Sequence, residues 1–464
     1  MKGFQMNKSF YKNISVQFFA FAILSLFNSR QAFSQPAKPA GDLLIKNITI
    51  VDVNEGRLIP NKNILIVGRE IGWISDSDED ITAKTTIDCA GKFIIPGLWD
   101  MHTHNWWQLH FSNFYIGNGV LGVRNMYTPM SMINPVKDSI NNGLIKGPYY
   151  VSAGRVVEGS EPEFPDWLVV DKIEKIKSAL DTLQMEGSDF VKVYNKIPGD
   201  VYFELVKEAH KRGMRVEGHV PMAVSVIDAS NAGQRSFEHL LGIPDLCTKD
   251  HLFKNRYGYN WFAAVMSSDD YGTLSIDEEL AAKNFEVLRK NNSFVCPTLV
   301  VWHNYFHPDI PFEKETNLQK FPKGMIDFWN GEVGKYRNRD TSYKQMMIKK
   351  YKNFQKVTYL LYKNGVPLLT GTDAINAFVY PGYSLHQELV LLKQCGIPDK
   401  EILKMATINA ALFLEISDKY GSVEKGKNAS LVILNDNPLK DIANTGKIES
   451  VILNGNLIEK KRTQ

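Results

Sequence analysis

The stretch Phe93-Ile94-Ile95-Pro96-Gly97-Leu98-Trp99-Asp100-Met101-His102-Thr103-His104 carries the reading of the whole chain. An apolar run of strand character ends in two histidines spaced i, i+2. Side chains two apart on a strand point to the same face, so His102 and His104 can reach one metal ion together. Alone, such a pair would read equally well as two histidines beside a surface loop. Here it closes an apolar strand, at the end where parallel α/β barrels collect their catalytic groups.

Outward from this stretch, short apolar strands alternate with helical segments. Phe93 to Asp100, Gly119 to Arg124, Tyr149 to Ala153, Phe190 to Tyr194, Arg215 to His219, Ser236 to Leu240, Phe294 to Leu299 and Pro367 to Thr372 read as strands. Lys172 to Met185 and Val201 to Arg212 have the apolar spacing of amphipathic helices. Strands with helices between them favour a parallel barrel over a sandwich. The connections Leu241 to Ser293 and Val300 to Val366 exceed what one helix needs and read as helical excursions forming a lid over one face. Alternating runs at both ends, Leu43 to Ile50 and Asn63 to Val67, then Ala429 to Leu434 and Ser450 to Gly455, read as one small antiparallel β unit split between the termini. The predicted class is α/β: a (β/α)8 TIM barrel over 93–390, with a small β-sandwich domain whose N-terminal part is 41–92 and whose C-terminal part, together with the final helices, is 391–464.

The 464 residues suffice for one large domain and a smaller one. A hydrophobic share of 44% with 23% charged residues fits a globular protein, and a net charge of +3 argues against nucleic acid or an anionic membrane as partner. A small-molecule partner is expected, with a homo-oligomer left open. Cys89, Cys247, Cys296 and Cys395 form no CxxC pair, so neither a zinc knuckle nor a redox motif is signalled. At the N-terminus, Lys2, Lys8 and Lys12 precede an apolar run from Val16 to Phe27, followed by Ala32-Phe33-Ser34. This is the layout of a secretory signal peptide over 1–34, and it predicts a periplasmic or secreted enzyme. The run of about 12 residues is short of the roughly 20 that span a bilayer.

Four further residues join the histidine pair. Lys192 lies inside the apolar strand Phe190-Val191-Lys192-Val193-Tyr194, where alternation turns Lys192 and Tyr194 to one face. A lysine there either snorkels between helices or is buried, which lowers its pKa and frees its amine to react with carbon dioxide. His219, in Glu217-Gly218-His219-Val220-Pro221, and His239, in Phe237-Glu238-His239-Leu240, each end a strand. Either alone would read as a hydrogen-bonded core histidine; together, after the first pair, they read as metal ligands. Asp373, in Thr370-Gly371-Thr372-Asp373-Ala374, reads as a helix N-cap or as a ligand and proton shuttle.

In order and strand position, His102, His104, Lys192, His219, His239 and Asp373 resemble the dinuclear branch of the amidohydrolase superfamily. Their surroundings are most similar to the imidazolonepropionase-like group, which includes metal-dependent prolidases and other Xaa-amino-acid dipeptidases. The likeness extends to Gly421-Ser422-Val423-Glu424-Lys425-Gly426-Lys427-Asn428-Ala429, with Ser430 where an acidic residue is usual. It implies two divalent ions, zinc by default. His102, His104 and Asp373 would hold the first, His219 and His239 the second, and carbamylated Lys192 would bridge them. A bridging hydroxide would attack the amide carbon, Asp373 would move the proton to the leaving nitrogen, and Tyr194 would donate to the oxyanion. Arg124 and Arg155 are candidates for a substrate carboxylate or for ordinary salt bridges, and Glu217 for a buried ion pair or a partner to the ligands. Asn105, Trp106 and Trp107 should border the substrate, and His110, His303 and His307 are further pocket candidates. The expected reaction is hydrolysis of a dipeptide or N-acyl amino acid. The rivals are a one-metal deaminase or cyclic-amidine hydrolase, a lactonase or other esterase, and an inactive binding protein on the same fold.

Overall fold

Parallel strands buried on both faces form the centre of the molecule. The computed structural model describes residues 39–77, 81–104, 108–129, 134–249 and 261–458, so the expected signal segment over 1–34 and Asn105 to Trp107 lie outside the described residues. The chain divides at Pro39/Ala40, and all the strands and helices described belong to the unit that starts at Ala40.

The architecture is α/β. Leu98–Thr103, Val120–Asn125 and Tyr149–Ser152 pair in parallel. A second parallel sheet runs Leu168–Val169, Val157–Glu158, Val191–Val193, Val216–Gly218, Ser236–Glu238, Phe294–Cys296. Isolated parallel bridges Val295↔Leu368 and Thr103↔Ala374 set the segment around 368–374 between the last strand of one sheet and the first of the other. On the other side Asp189 N–H donates to Ser152 O (2.8 Å). Apart from Leu168–Val169 and the first residue of Tyr149–Ser152, these strands are buried from end to end, which is why they read as continuous apolar runs.

Helices cover the strands with the apolar faces expected. Ile176–Met185 buries Ile176, Ala179, Leu180 and Leu183, and Gly199–Lys211 buries Val201, Tyr202, Leu205, Val206 and Ala209. Each such aliphatic side chain contributes roughly 1.5–3 kcal/mol on full burial. The two long connections are helical. The first holds Trp261–Ser267 and Glu278–Lys290, the second Leu299–Phe306, Lys323–Arg337 and Thr341–Lys363.

Three sequence expectations need correction. The run from Phe93 to Asp100 is two strands, because Pro96-Gly97 breaks it. Phe93–Pro96 pairs with Ala40–Asp52 and Leu431–Leu434, and only Leu98–Thr103 joins the parallel strands. The terminal β unit is mixed rather than antiparallel. Ala40–Asp52 runs parallel to Thr82–Asp88 and Phe93–Pro96 and antiparallel to Arg57–Val67. That unit keeps its own core, in which Ile45, Ile64, Ile94, Leu431, Ile433 and Ile452 meet. The run from Pro367 to Thr372 makes bridges at its two ends instead of a continuous ladder.

Candidate metal centre

The four candidate histidines stand at or just past the C-terminal ends of parallel strands. His102 and His104 lie on and after Leu98–Thr103, His219 follows Val216–Gly218 and His239 follows Ser236–Glu238. Their rings form a chain, with centroids 5.4 Å apart for His104 and His102, 4.3 Å for His102 and His239, and 5.0 Å for His239 and His219. Asp373 caps no helix, since the next one begins at Tyr383. Its Oδ1 lies 3.0 Å from His104 Nε2 and 3.5 Å from His102 Nε2, and its Oδ2 lies 3.7 Å from His239 Nδ1.

Three of the rings are oriented through Nδ1, each by a partner that sequence reading did not single out. His102 Nδ1 meets Glu238 Oε2 at 2.7 Å, His219 Nδ1 meets Asn195 Oδ1 at 2.7 Å, and His239 Nδ1 meets Thr298 Oγ1 at 2.8 Å. A neutral imidazole that donates from Nδ1 keeps a lone pair on Nε2. Asn195 is fixed in turn: Glu158 accepts from the backbone N–H of Asn195 (3.3 Å) and of Lys196 (2.6 Å).

This arrangement fits a cation. His102 Nε2 is buried and without a hydrogen-bond partner, and it faces Asp373 Oδ1. Two lone pairs facing each other at 3.5 Å repel unless something positive lies between them. Ligand atoms of His102, His239 and Asp373 lie within 4.8 Å of one another. His102, Glu238 and Cys296 are grouped as tightly, but the Glu238 oxygens are already taken by His102, Arg124 and Ser236.

Lys192 lies in the same interior, 1% exposed. Its stem runs across Gly218, where a Cβ would come within 2.6 Å of Lys192 Cδ and 2.5 Å of Val193 O at a φ of +124°. Glycine at that position is a packing requirement of the lysine. A side chain on Gly371 would likewise strike Cys296 Sγ at 2.5 Å and His102 Cβ at 2.8 Å. Burial lowers the Lys192 amine to about 8, with Glu238 and Asp373 opposing the shift. Burial, then the Lys192 charge, holds His102 and His219 well below the usual imidazole range.

Tyr194 stacks on His219, with centroids 4.1 Å apart, and its hydroxyl meets Glu163 Oε2 at 3.3 Å. Both arginine candidates are engaged in ion pairs. Arg124, fully buried, bonds Glu217 (2.7 Å), Glu238 (2.9 Å) and Met101 O (2.6 Å), and Arg155 pairs with Glu186 at 2.6 Å. Glu217 therefore serves as the counter-ion of Arg124 and of Arg215 (2.9 Å). His303 and His307 pack on each other and on Tyr351. All four cysteines are free thiols.

The chain matches the amidohydrolase family over residues 93–458. It belongs to the amidohydrolase family. A 5-methylthioadenosine/S-adenosylhomocysteine deaminase of Thermoanaerobacter pseudethanolicus (strain ATCC 33223 / 39E) is 24% identical over 91% of this chain and 94% of its own. Among solved structures, a bottromycin amidohydrolase superposes with a TM-score of 0.70 at 21% identity, covering 92% of this chain and 88% of its own. A Xaa-Pro dipeptidase with bound methionine in its active site superposes with a TM-score of 0.64 at 19% identity, covering 90% of this chain and 100% of its own. As an amidohydrolase, the chain is a metal-dependent hydrolase of carbon–nitrogen bonds acting on small molecules.

Proposed function

We propose that this amidohydrolase is an exported two-metal enzyme that cleaves the amide bond of dipeptides or N-acyl amino acids. In this reading the parallel strands from Leu98 onward form a (β/α)8 barrel, and 41–92, Phe93–Pro96 and the strands that follow the final helices of 391–464 build a small sandwich domain. The observation that carries it is Lys192, sealed in mid-strand among the imidazoles of His102, His219 and His239. An unmodified ammonium among metal ligands would repel any cation, whereas a lysine carbamate is an anion with two donor oxygens.

His102, His104 and Asp373 would hold one ion, His219 and His239 a second, with carbamylated Lys192 between them. Divalent ions in this nitrogen and oxygen set, zinc by its ligand preference, would polarise the scissile carbonyl and make water acidic enough to attack. Asp373 takes the proton released on attack and returns it to the leaving nitrogen. Tyr194 donates its hydroxyl hydrogen to the carbonyl oxygen as negative charge develops there. Glu238, Asn195 and Thr298 hold the three rings in place.

The deaminase likeness favours a one-metal alternative in which Lys192 has no metal role. Lys192→Ala separates the two. The dinuclear reading expects metal content to fall from about two to about one per chain, with loss of dipeptide hydrolysis. A wild-type content of one, with Lys192→Ala active, overturns it. A panel of dipeptides, N-acyl amino acids and lactones separates amidase from lactonase, and N-terminal sequencing of the mature protein should begin at Gln35 if the leader is removed.

A further inference from the structure

The segment that continues from Val157–Glu158 is pinned over the metal centre. Arg155 ties its start to Glu186, Tyr127 Oη donates to Asp166 Oδ1 (2.7 Å), and Lys196 Nζ donates to Glu161 O (3.0 Å). Trp167 lies edge-on to Tyr194, with centroids 4.7 Å apart. The result is that Glu163 stands at the tip of Tyr194, 3.3 Å from its hydroxyl, where Lys196 and, less strongly, His104 act on its charge. Among the described residues no lysine or arginine stands within ion-pairing distance of Glu163. The two arginines that sequence offered for a substrate carboxylate are consumed elsewhere.

A proton count gives this contact its meaning. A tyrosine hydroxyl has one hydrogen, and an ionised carboxylate only accepts. When Tyr194 turns its hydrogen to the scissile carbonyl, Glu163, an exposed carboxylate, keeps only water as donor and is open to a stronger one. A substrate ammonium can take the place of that water through a charge-assisted hydrogen bond. In an aminoacyl unit the α-nitrogen is two bonds from the carbonyl carbon, within about 2.5 Å of it. A substrate whose carbonyl oxygen meets Tyr194 can bring its α-nitrogen within reach of Glu163, whose Oε2 is 3.3 Å from the same hydroxyl.

We propose that Glu163 is the specificity residue that accepts the α-ammonium of the substrate, selecting dipeptides with a free amino terminus over N-acyl amino acids. This rests on the amide-hydrolase reading above. Alanyl-phenylalanine and N-propionyl-phenylalanine test it, because they differ only in the ammonium group. Wild-type enzyme should favour the dipeptide in kcat/KM by about 10- to 100-fold, the range of one charge-assisted hydrogen bond. Glu163→Gln should collapse that ratio, mostly through KM, and Glu163→Asp should restore part of it. An unchanged ratio in Glu163→Gln, with its melting temperature retained, overturns the assignment while leaving the amidase reading intact. If neither compound is hydrolysed the amidase reading fails, and calorimetric binding of alanyl-phenylalanine then decides. Affinity that drops in Glu163→Gln upholds the ammonium site, and affinity that does not drop removes it.

Discussion

Glu238 Oε2 lies 2.7 Å from Nδ1 of His102, both side chains fully buried, and this contact decides which nitrogen of His102 faces Asp373. Carboxylates behind a ligating imidazole hold its tautomer and raise its basicity, and losing one typically costs roughly 10- to 100-fold in metal affinity. Glu238→Gln should weaken binding of the first ion by about that factor. A titration against a competing chelator checks this; wild-type affinity in the variant would mean that packing alone orients the ring.

Arg124 is the cation of a sealed network in which Glu217 and Glu238 are its anions. Removing one partner of a buried ion group leaves the rest uncompensated, a loss of about 3–5 kcal/mol. Arg124→Met should lower the urea midpoint accordingly. Arg124→Lys should recover less than half, because the guanidinium reaches Met101 O, Glu217, Ser236 and Glu238 at once, and an ammonium lacks that fork.

Stripping the metal should lower the melting temperature, and zinc should restore it. The apo site confronts the lone pairs of His102 Nε2 and Asp373 Oδ1. Ion at roughly 100 times its dissociation constant stabilises the fold by about 2.7 kcal/mol. Differential scanning fluorimetry at rising zinc concentrations reads the effect, and Asp373→Ala should blunt it. A zinc-independent midpoint in the wild type would contradict the assignment of this site.

Away from the metal, His386 ties Tyr383–Gln394 to two other parts of the chain. Nε2–H donates to Asn118 O (3.0 Å), and Nδ1 lies 2.9 Å from Thr445 Oγ1, whose own hydrogen goes to Ile442 O (2.8 Å). Burial drives its pKa from the ordinary 6.5 down to about 4. The unfolded chain takes up this proton near pH 6.5 and the folded one near 4, so the group's contribution is intact above 6.5 and lost as pH falls toward 4. The ring is part-buried, so the loss by about pH 5 should be about 1–2 kcal/mol. Comparing denaturant unfolding of wild type and His386→Gln at about pH 7 and about pH 5 isolates it. Equal pH slopes would remove His386 as the cause.

The candidate ligand set is written locally. Strand period two turns His102 and Lys192 inward, and a histidine or aspartate directly after an apolar run falls at a strand end whatever the rest of the chain does. The break at Gly97 was also signalled locally, by Pro96-Gly97, yet the apolar residues on both sides hid it, since a strand buried in one sheet reads like a strand buried in another.

Linear order could not supply the contacts that hold the ligands still. Glu238 and His102 are 136 positions apart, Thr298 and His239 59, and Arg124 and Glu217 93. Arg124 shows the reason. Read alone, a basic residue near a strand end suits a substrate carboxylate as well as a salt bridge. Only when the strands assemble do two glutamates arrive around it, and a charge sealed from water takes whichever partners the packing brings. Local spacing named the candidate ligands, and tertiary packing chose the Nδ1 partners of three imidazoles and the counter-ions of Arg124.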